Sequence, residues 1–322
     1  MIKVLNKRPI DDDNSICIGT HNGKFHSDEI IAIALLAILT KKDGNLFVIR
    51  SRDLDFLEEN VDLLVDIGGG EYDHHQKGGN GQRKNGIKYA SAGLIWKDFG
   101  YKIISNLSNN KLSVKEIYNI LDDIDKDIIQ NVDMIDNGQH SSNHPFKFIR
   151  FFLPKWNQTI NYDEKFEQCI NVVYEVLENI IESYISVSLG KNEIKLILND
   201  PDKHIGNILV IPSQTLSWTY EVVNYNEHSN NKIDFVVFPY PTGGYALQCV
   251  PCSMNNTFSS RIPLPESWAG ETSRLPEITG LKSAIFCHND RFFAHANEYS
   301  DILKMCRIAT EKYYCEKKSL KK

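Results

Sequence analysis

Two short stretches of the chain combine histidine with aspartate. The first contains His21, His26 and Asp28 in the pattern H-x4-H-x-D, and the second is D-H-H at residues 73–75. Burying such ionisable groups without partners is unfavourable, so a divalent metal ion is a natural companion for them. A set of imidazoles and carboxylates without thiolates favours Mn²⁺ or Mg²⁺, with Zn²⁺ as a further candidate.

Further aspartates extend this set beyond what one zinc ion requires. Asp66 comes at the end of an apolar run, and Asp133 and Asp136 are three residues apart, so on a helix they share one face. Two ions about 3.5–4 Å apart form the usual clamp for phosphoester hydrolysis. The pattern therefore predicts a two-metal site with Asp66 as the bridge and a metal-bound hydroxide as the nucleophile.

The elements around these residues alternate between strand and helix. Residues 16–19, 46–50 and 63–67 have the apolar composition of buried strands, and residues 30–40 that of a buried helix capped by Ser27 or Asp28. Such alternation predicts an α/β fold with a largely parallel sheet. The polar loops then lie at the carboxyl ends of strands, where ligands bind in these sheets.

The second half of the chain predicts a smaller α/β domain. Helical periodicity over residues 163–189 indicates a connecting helix, so the predicted domains are residues 1–190, which bind metal, and residues 191–322, which bind substrate. The predicted strands of the second domain are residues 194–198, 208–211, 233–238, 245–250 and 284–287, and its predicted helices are residues 217–224 and 301–314.

Composition limits the class of protein. The net charge is −6, so a polyanionic substrate would be held by a local basic patch or by metal ions. No apolar run has the length of a membrane span. Seven scattered cysteines indicate an intracellular, reducing compartment. We expect the cytoplasm by default, or the nucleus or mitochondrion in a eukaryote.

Residues 20–29 resemble the T-H-N-G-x-F-H-x-D-E signature of the Myg family, a branch of the DHH phosphoesterase superfamily. Further elements in the family's order include R-S-R-D from residue 50, V-D-I-G-G from residue 65 and Y-D-H-H-Q from residue 72. The resemblance continues through Q-C-V-P at residue 248 to F-C-H at residue 286, so it covers most of the chain.

The resemblance implies a role for each cluster. His21, His26 and Asp28 correspond to the first metal motif of the superfamily and Asp66 to the second. In the third motif, His74 would be a metal ligand, whereas His75 would lie closer to the scissile phosphate. The fourth-motif aspartate is Asp136 or Asp133. The implied activity is metal-dependent 3′–5′ exonuclease action on RNA or short oligonucleotides, with two divalent ions, Mn²⁺ first.

Several other residues are candidates for substrate contacts. These are Asn22, Arg52, Ser91, Arg261 and His288. The amides that begin the helix after Ser91 could face an anion. Arg261 could clamp phosphate or form a surface salt bridge, and His288 is more typical of strand-end packing.

Two segments depart from the family pattern. The loop before the D-H-H element is nearly absent here, and residues 289–294 replace a glycine-rich segment. These departures change a loop beside the metals and the substrate cleft, and neither removes a predicted metal ligand. The glycine-rich residues 78–86 are either a surface loop or a basic flap beside the metals.

Alternative functions are hydrolysis of a small phosphoanhydride or dinucleotide such as pyrophosphate, and RNA or nucleotide binding without catalysis. A homo-oligomer is compatible with this sequence.

Overall fold

The computed structural model describes residues 2–9, 15–41, 44–139, 145–158 and 161–319. The chain divides into two compact units, residues 1–186 and 187–322. The predicted α/β class is confirmed, because the first unit contains a parallel sheet and the second a larger mixed sheet.

The sheet of the first unit has four parallel strands. They are β1 (Lys3–Leu5), β2 (Ile16–Thr20), β3 (Leu46–Arg50) and β4 (Leu63–Leu64), in the order β1-β3-β2-β4. Because β2 and β4 are parallel neighbours, the loops that follow them emerge at the same edge. β4 is shorter than the predicted strand 63–67, since the chain turns at Asp66, whose φ is +61°.

Helices connect and follow these strands along the chain. They are α1 (Ser27–Thr40), α2 (Leu54–Asn60), α3 (Ser91–Leu107), α4 (Val114–Ile124), α5 (Gln130–Asp136) and α6 (Tyr162–Leu198). A π-helical turn, Asp125–Ile129, divides the predicted helix 113–133, and a 3₁₀ helix spans Pro145–Phe151. The boundary between the two units lies inside α6.

Helix α1 is buried on nearly all sides and packs along α3. Residues 30–38 are all buried, as their uninterrupted apolar run predicts, and Asp28 and Glu29 in the first turn are buried with them. The helix begins differently from the prediction, which placed Ser27 or Asp28 at the cap. His26 occupies the N-cap position, and both oxygens of Glu29 accept its backbone N–H at 2.8 Å. Asp28 is therefore free of a capping role.

The second unit is built on a six-stranded mixed sheet in the order β11-β12-β8-β7-β6-β5. Its strands are β5 (His204–Ile205), β6 (Ile208–Val210), β7 (Phe235–Pro239), β8 (Tyr245–Cys249), β11 (Ala284–Cys287) and β12 (Phe293–Ala296). A separate antiparallel pair is β9 (Pro251–Ser253) and β10 (Asn256–Ser260). The helices are α7 (Thr219–His228), α8 (Leu275–Thr279) and α9 (Tyr299–Ser319).

The predicted strand 194–198 is wrong, because these residues form the last turns of α6. Ile194, Ile197 and Leu198 are buried in one cluster of the second unit, whereas Leu196 is largely exposed. Buried positions three and four residues apart are those of a helix, not of a strand. In the described part of the chain, no helix has the length and apolar character needed to cross a membrane.

Candidate metal centre

Four segments of the first unit meet at the carboxyl edge of the parallel sheet. The loop after β2 carries His21 and His26, and the first turn of α1 adds Asp28 and Glu29. The segment after β4 contributes Asp66 and the D-H-H residues 73–75, and α5 ends at Asp136. Three overlapping groups of their side chains could each hold a metal ion: His21, His26, Glu29 and Asp66; Asp66, His74 and His75; His26, Asp28 and Asp136.

Asp66 belongs to two of these groups. Its Oδ2 lies 3.4 Å from His21 Nε2, while its Oδ1 lies 3.5 Å from His74 Nε2 and 3.4 Å from His75 Nδ1. The backbone of this buried residue is in the left-handed region, and its N–H donates to Tyr72 O at 3.0 Å. A non-glycine residue in this conformation is strained, and the surrounding structure must maintain it. The strained turn directs one oxygen to each group.

His74 connects Asp66 with Asp28 and Asp136. Its Nε2 lies 2.9 Å from Asp136 Oδ2 and 3.6 Å from Asp28 Oδ2. Asp28 is fully buried, and neither of its carboxylate oxygens has a hydrogen-bond partner within the described segments. A buried carboxylate without a donor is costly, so this position calls for a cation.

The electrostatics of the cluster show the same excess of negative charge. Burial, followed by the charges of Asp66, Asp136 and Glu29, raises the pKa of Asp28 well above its ordinary value. Burial lowers the pKa of His21, but contacts with Asp66 and Glu29 outweigh burial and raise this pKa to about 10. Carboxylates that repel one another and hold protons on nearby histidines would be relieved by divalent cations, which displace those protons.

The residues present therefore fit divalent metal ions. Among the described residues, both oxygens of Asp28 and Oδ2 of Asp66 are buried acceptors without a hydrogen bond of good geometry, and the nearest cationic groups are the rings of His74 and His21 at 3.6 Å and 3.4 Å. Oxygen and imidazole donors without thiolate are the chemistry of Mn²⁺, Mg²⁺ or Zn²⁺ sites.

His75 differs from His74 in its exposure. Its side chain is 58% exposed, and its Nδ1 lies 2.8 Å from Asp73 Oδ1. Asp73 in turn accepts the backbone N–H groups of Gly69 and His75. A carboxylate that holds one ring nitrogen of a histidine orients the ring and directs the other nitrogen to a ligand.

Asp133 and Asp136 point to different partners although they lie on one helix. Asp136 contacts His74, whereas Asp133 Oδ2 lies 2.6 Å from Arg83 Nη1 and Asp133 Oδ1 accepts the N–H of Gly93 at 3.0 Å. A Cβ on Gly93 would lie 1.9 Å from Asp133 Oδ2, so only glycine fits there. The first amides of α3 therefore face a carboxylate of the protein itself.

The glycine-rich segment 78–86 is anchored through Arg83. This side chain also pairs with Asp125 at 2.6 Å and lies 4.3 Å from the centre of the Tyr89 ring. Its positive charge is thus used inside the first unit and not offered as part of a basic flap.

The predicted substrate residues have different positions. Ser91 is buried, and its Oγ donates to Asp66 Oδ1 at 3.1 Å. Asn22 and Arg52 are exposed and line a cavity beside the cluster. In the second unit, Arg261 Nε donates to Asp234 at 2.9 Å, and the His288 ring lies 4.5 Å from that of Phe292.

Two cavities adjoin the cluster, and both include Lys24, His26 and His75. The first, called the basic cavity below, has a volume of about 510 Å³ and is also lined by His21, Asn22, Gly23, Arg52, Asp66, Ile67, Gly68 and Asp73. The second, called the apolar cavity, has a volume of about 480 Å³ and is also lined by Phe25, Ser27, His74, Val132, Ile135, Asp136, Ile149, Arg150 and Leu153.

Sequence reasoning missed two residues of this region, Glu29 and Arg50. The first lies 3.3 Å from His21 Nε2 in addition to its contact with His26, and its place beside Asp28 was the available signal. The second donates to Gly23 O at 2.8 Å and to Asp163 at 2.6 Å, which ties the loop after β2 to α6. No pattern along the chain indicates this last contact, because its partners are 27 and 113 residues away.

The fold and the cluster define an α/β protein with a candidate divalent-metal centre at the carboxyl edge of its parallel sheet. The model of the family called MYG1 exonuclease, described as "Uncharacterised protein family (UPF0160)", matches residues 17–310, so the chain belongs to this family. The family resemblance read from the motifs is thereby confirmed.

Curated relatives match along most of their length. The MYG1 exonuclease of Mus musculus is 29% identical over a match that covers 90% of this chain and 83% of the mouse protein. The MYG1 exonuclease of Homo sapiens is 27% identical over 90% of this chain and 84% of the human protein. The MYG1 protein of Caenorhabditis elegans is 27% identical over 91% and 95%. No solved structure matches this chain at a significant level.

Proposed function

We propose that this protein is a divalent-metal-dependent phosphodiesterase of the DHH type, and specifically a 3′–5′ exonuclease acting on RNA or short oligonucleotides. The observation that carries the proposal is the position of Asp66, whose two oxygens face separate groups of candidate ligands. A carboxylate so placed is suited to bridge two ions. The name exonuclease, printed for the mouse and human relatives, supports the class of reaction.

The ligand set that we propose follows the two sides of Asp66. His21 and His26 would hold one ion, with Glu29 supporting both histidines. Asp28, His74 and Asp136 would hold the other. Asp136 is preferred to Asp133 as the fourth-motif residue because it contacts His74, whereas Asp133 is engaged by Arg83. Mn²⁺ is the first choice for both ions, with Mg²⁺ and Zn²⁺ as alternatives.

The chain itself positions the phosphate and manages the proton. Bound divalent ions supply an activated water and neutralise charge that develops on the phosphoryl oxygens. His75, held through Nδ1 by Asp73, would present Nε2 to a phosphoryl oxygen or to the leaving oxygen. Lys24 and Arg52 in the basic cavity would attract the phosphate, Arg52 also in bidentate contact. Ser91 would hold Asp66 in place.

Other parts of the proposal rest on the sequence. Arg261 and His288 remain predicted substrate contacts of the second unit, and the pairing of Arg261 with Asp234 leaves part of its guanidinium for a phosphate. All seven cysteines are free thiols, which supports a reducing compartment.

A turnover assay on RNA labelled at its 5′ end tests this function. We expect the wild type with Mn²⁺ to shorten the RNA stepwise from its 3′ end. His74→Ala should reduce the rate by more than about 100-fold, since even outer partners of metal ligands cost about 10–100-fold when removed. His228→Ala, a change at the end of α7, is the matched control and should retain the wild-type rate.

Pyrophosphate is assayed in parallel. Phosphate release from pyrophosphate with intact RNA would contradict the exonuclease proposal and support the small-phosphoanhydride alternative. RNA binding without turnover, with metal shown to be bound, would contradict catalysis and support a nucleotide-binding protein.

A further inference from the structure

The apolar cavity lies directly beside the metal cluster. Its lining includes His74 and Asp136 together with four aliphatic side chains, called the aliphatic wall below: Val132, Ile135, Ile149 and Leu153. Ile135 is 37% exposed at the end of α5, and Leu153 is half-buried after the 3₁₀ helix. Its volume of about 480 Å³ is within the range of about 300–1,000 Å³ typical of small-molecule sites.

Phosphoester hydrolysis does not require this aliphatic wall. A phosphate or pyrophosphate has no apolar surface to bury, so it would gain nothing from Ile135 and Leu153. A nucleobase differs because it has two flat faces that lose water favourably against aliphatic side chains, and polar edges that can remain at the opening. A ligand that joins such a base to a phosphate therefore matches both the aliphatic residues and the candidate metal ligands of the lining.

The cationic groups that line the cavity are suited to contact the phosphates of a nucleotide. Lys24 and Arg150 are exposed and line it together with the exposed ring of His75. The guanidinium of Arg150 lies 5.0 Å from the centre of the Phe151 ring, and it forms no ion pair with a residue in the described segments. It is therefore available for the phosphate that follows in an oligonucleotide.

We propose that the apolar cavity is a nucleoside subsite, in which the terminal base of the substrate packs against Ile135 and Leu153. The phosphate of the same nucleotide lies at His74 and Asp136, and Arg150 contacts the neighbouring phosphate. This inference rests on the proposed function and deepens it, because it assigns the preference for a nucleotide over pyrophosphate to specific aliphatic side chains.

Equilibrium binding of AMP and of ribose 5-phosphate tests the subsite without turnover. The two ligands share the sugar and phosphate and differ in the base. Calorimetry with Mn²⁺ compares wild type, Leu153→Asn and Leu153→Met. The control is Val176→Asn, which makes the same polar change at an exposed position of α6 outside the cavity.

We expect the wild type to bind AMP about 10-fold more tightly than ribose 5-phosphate, which corresponds to about 1.4 kcal/mol. Leu153→Asn should remove this difference and leave the affinity for ribose 5-phosphate unchanged. Leu153→Met keeps the apolar surface and should retain the preference, as should Val176→Asn.

Equal affinity of the wild type for both ligands would overturn the proposal. A preference for AMP that survives Leu153→Asn would also overturn it, since the base would then bind elsewhere. If the preference depends on Leu153 but the protein does not hydrolyse RNA, the subsite is supported and the proposed exonuclease activity fails.

Discussion

Asp133 and Arg83 form a buried ion pair, with 2.6 Å between Asp133 Oδ2 and Arg83 Nη1. Arg83 also pairs with Asp125 in the π-helical turn, while Asp133 accepts the N–H of Gly93 at the start of α3. The pair thus joins the glycine-rich segment 78–86 to three helical segments. Because α5 also carries Asp136, this network positions a candidate metal ligand without touching the metals.

Arg83→Met should destabilise the first unit strongly. At about pH 8, above the pKa of about 7 of Asp133, the change leaves a buried carboxylate without its counter-charge. Losing one partner of a buried pair costs about 3–5 kcal/mol. Urea denaturation gives the free energy of unfolding of each protein, and the difference between the two values measures the loss. Lys84→Ala changes the exposed neighbouring cation and should cost little. A similar small effect of Arg83→Met would show that the pair does not hold this region.

The stability of the protein should depend on the titration of Asp133. Burial raises the pKa of this carboxyl to about 7 from an ordinary value of 3.8, although Arg83 and the amides of Ala90 and Gly93 lower it. Because the folded state binds the proton more tightly, this contribution to stability is complete below about pH 4 and is lost as the pH rises to about 7. Asp133→Asn cannot titrate and should lack this loss.

The free energies of unfolding of the wild type and of Asp133→Asn are compared between about pH 4 and pH 8. Within the window, the wild type should lose about 1.4 kcal/mol per pH unit relative to Asp133→Asn. Asp123→Asn, at an exposed position of α4, controls for the change of net charge. If the wild type instead gains stability relative to Asp133→Asn as the pH rises, the ion pair with Arg83 dominates over burial and the prediction is wrong.

Asp66→Asn should weaken the binding of both metal ions. Its Oδ1 and Oδ2 face different groups, so one substitution affects two sites, whereas Asp136→Asn should affect one. We expect the wild type to bind two equivalents of Mn²⁺, with affinity losses of at least about 10–100-fold in the variants. Calorimetric titration with Mn²⁺ gives stoichiometry and affinity. Asp202→Asn, exposed in the second unit, is the control, and a single equivalent in the wild type would refute the bridge.

Arg50→Ala should reduce metal affinity although Arg50 contacts no metal ligand. Its guanidinium donates to Gly23 O and to Asp163, and it lies 4.3 Å from the centre of the Phe166 ring. Without these contacts, the loop that carries His21 and His26 loses its support. We expect about a 10–100-fold weaker affinity for Mn²⁺ in the same titration.

Arg8→Ala provides the comparison for Arg50. Arg8 also pairs with an aspartate, Asp62, but at the exposed surface. Exposed pairs contribute about 0–1 kcal/mol, so this variant should bind Mn²⁺ as the wild type does. Equal affinities for the two variants would show that the loop is positioned without Arg50.

Much of the first unit could be predicted from local patterns. The apolar run of residues 30–38 indicates a buried helix because no face is polar, and the H-x4-H-x-D loop follows a short apolar strand. Side chains that come directly after neighbouring parallel strands must lie at one edge, so the meeting of His21 with Asp66 was also predictable. The family signature lies in these same residues.

Helix and strand were harder to distinguish where apolar runs are short. Residues 194–198 have a composition that suits either element, and only the packing of Ile194, Ile197 and Leu198 in one cluster selects the helix. Similarly, the strand at Leu63 ends early because Asp66 adopts a left-handed backbone conformation. Such conformations depend on contacts with distant residues and leave no local pattern.

The sequence by itself determined which chemistry the site can perform, since residue types and their order along the chain define the available metal ligands. Only the tertiary structure decided which of those residues lie at the candidate metal centre and which have other partners. Asp133 and Asp136 lie on the same helix, yet Asp133 contacts Arg83 and Asp136 contacts His74. That difference arises from partners about 50 and 60 residues away, and contacts between distant segments are set by packing rather than by local propensity.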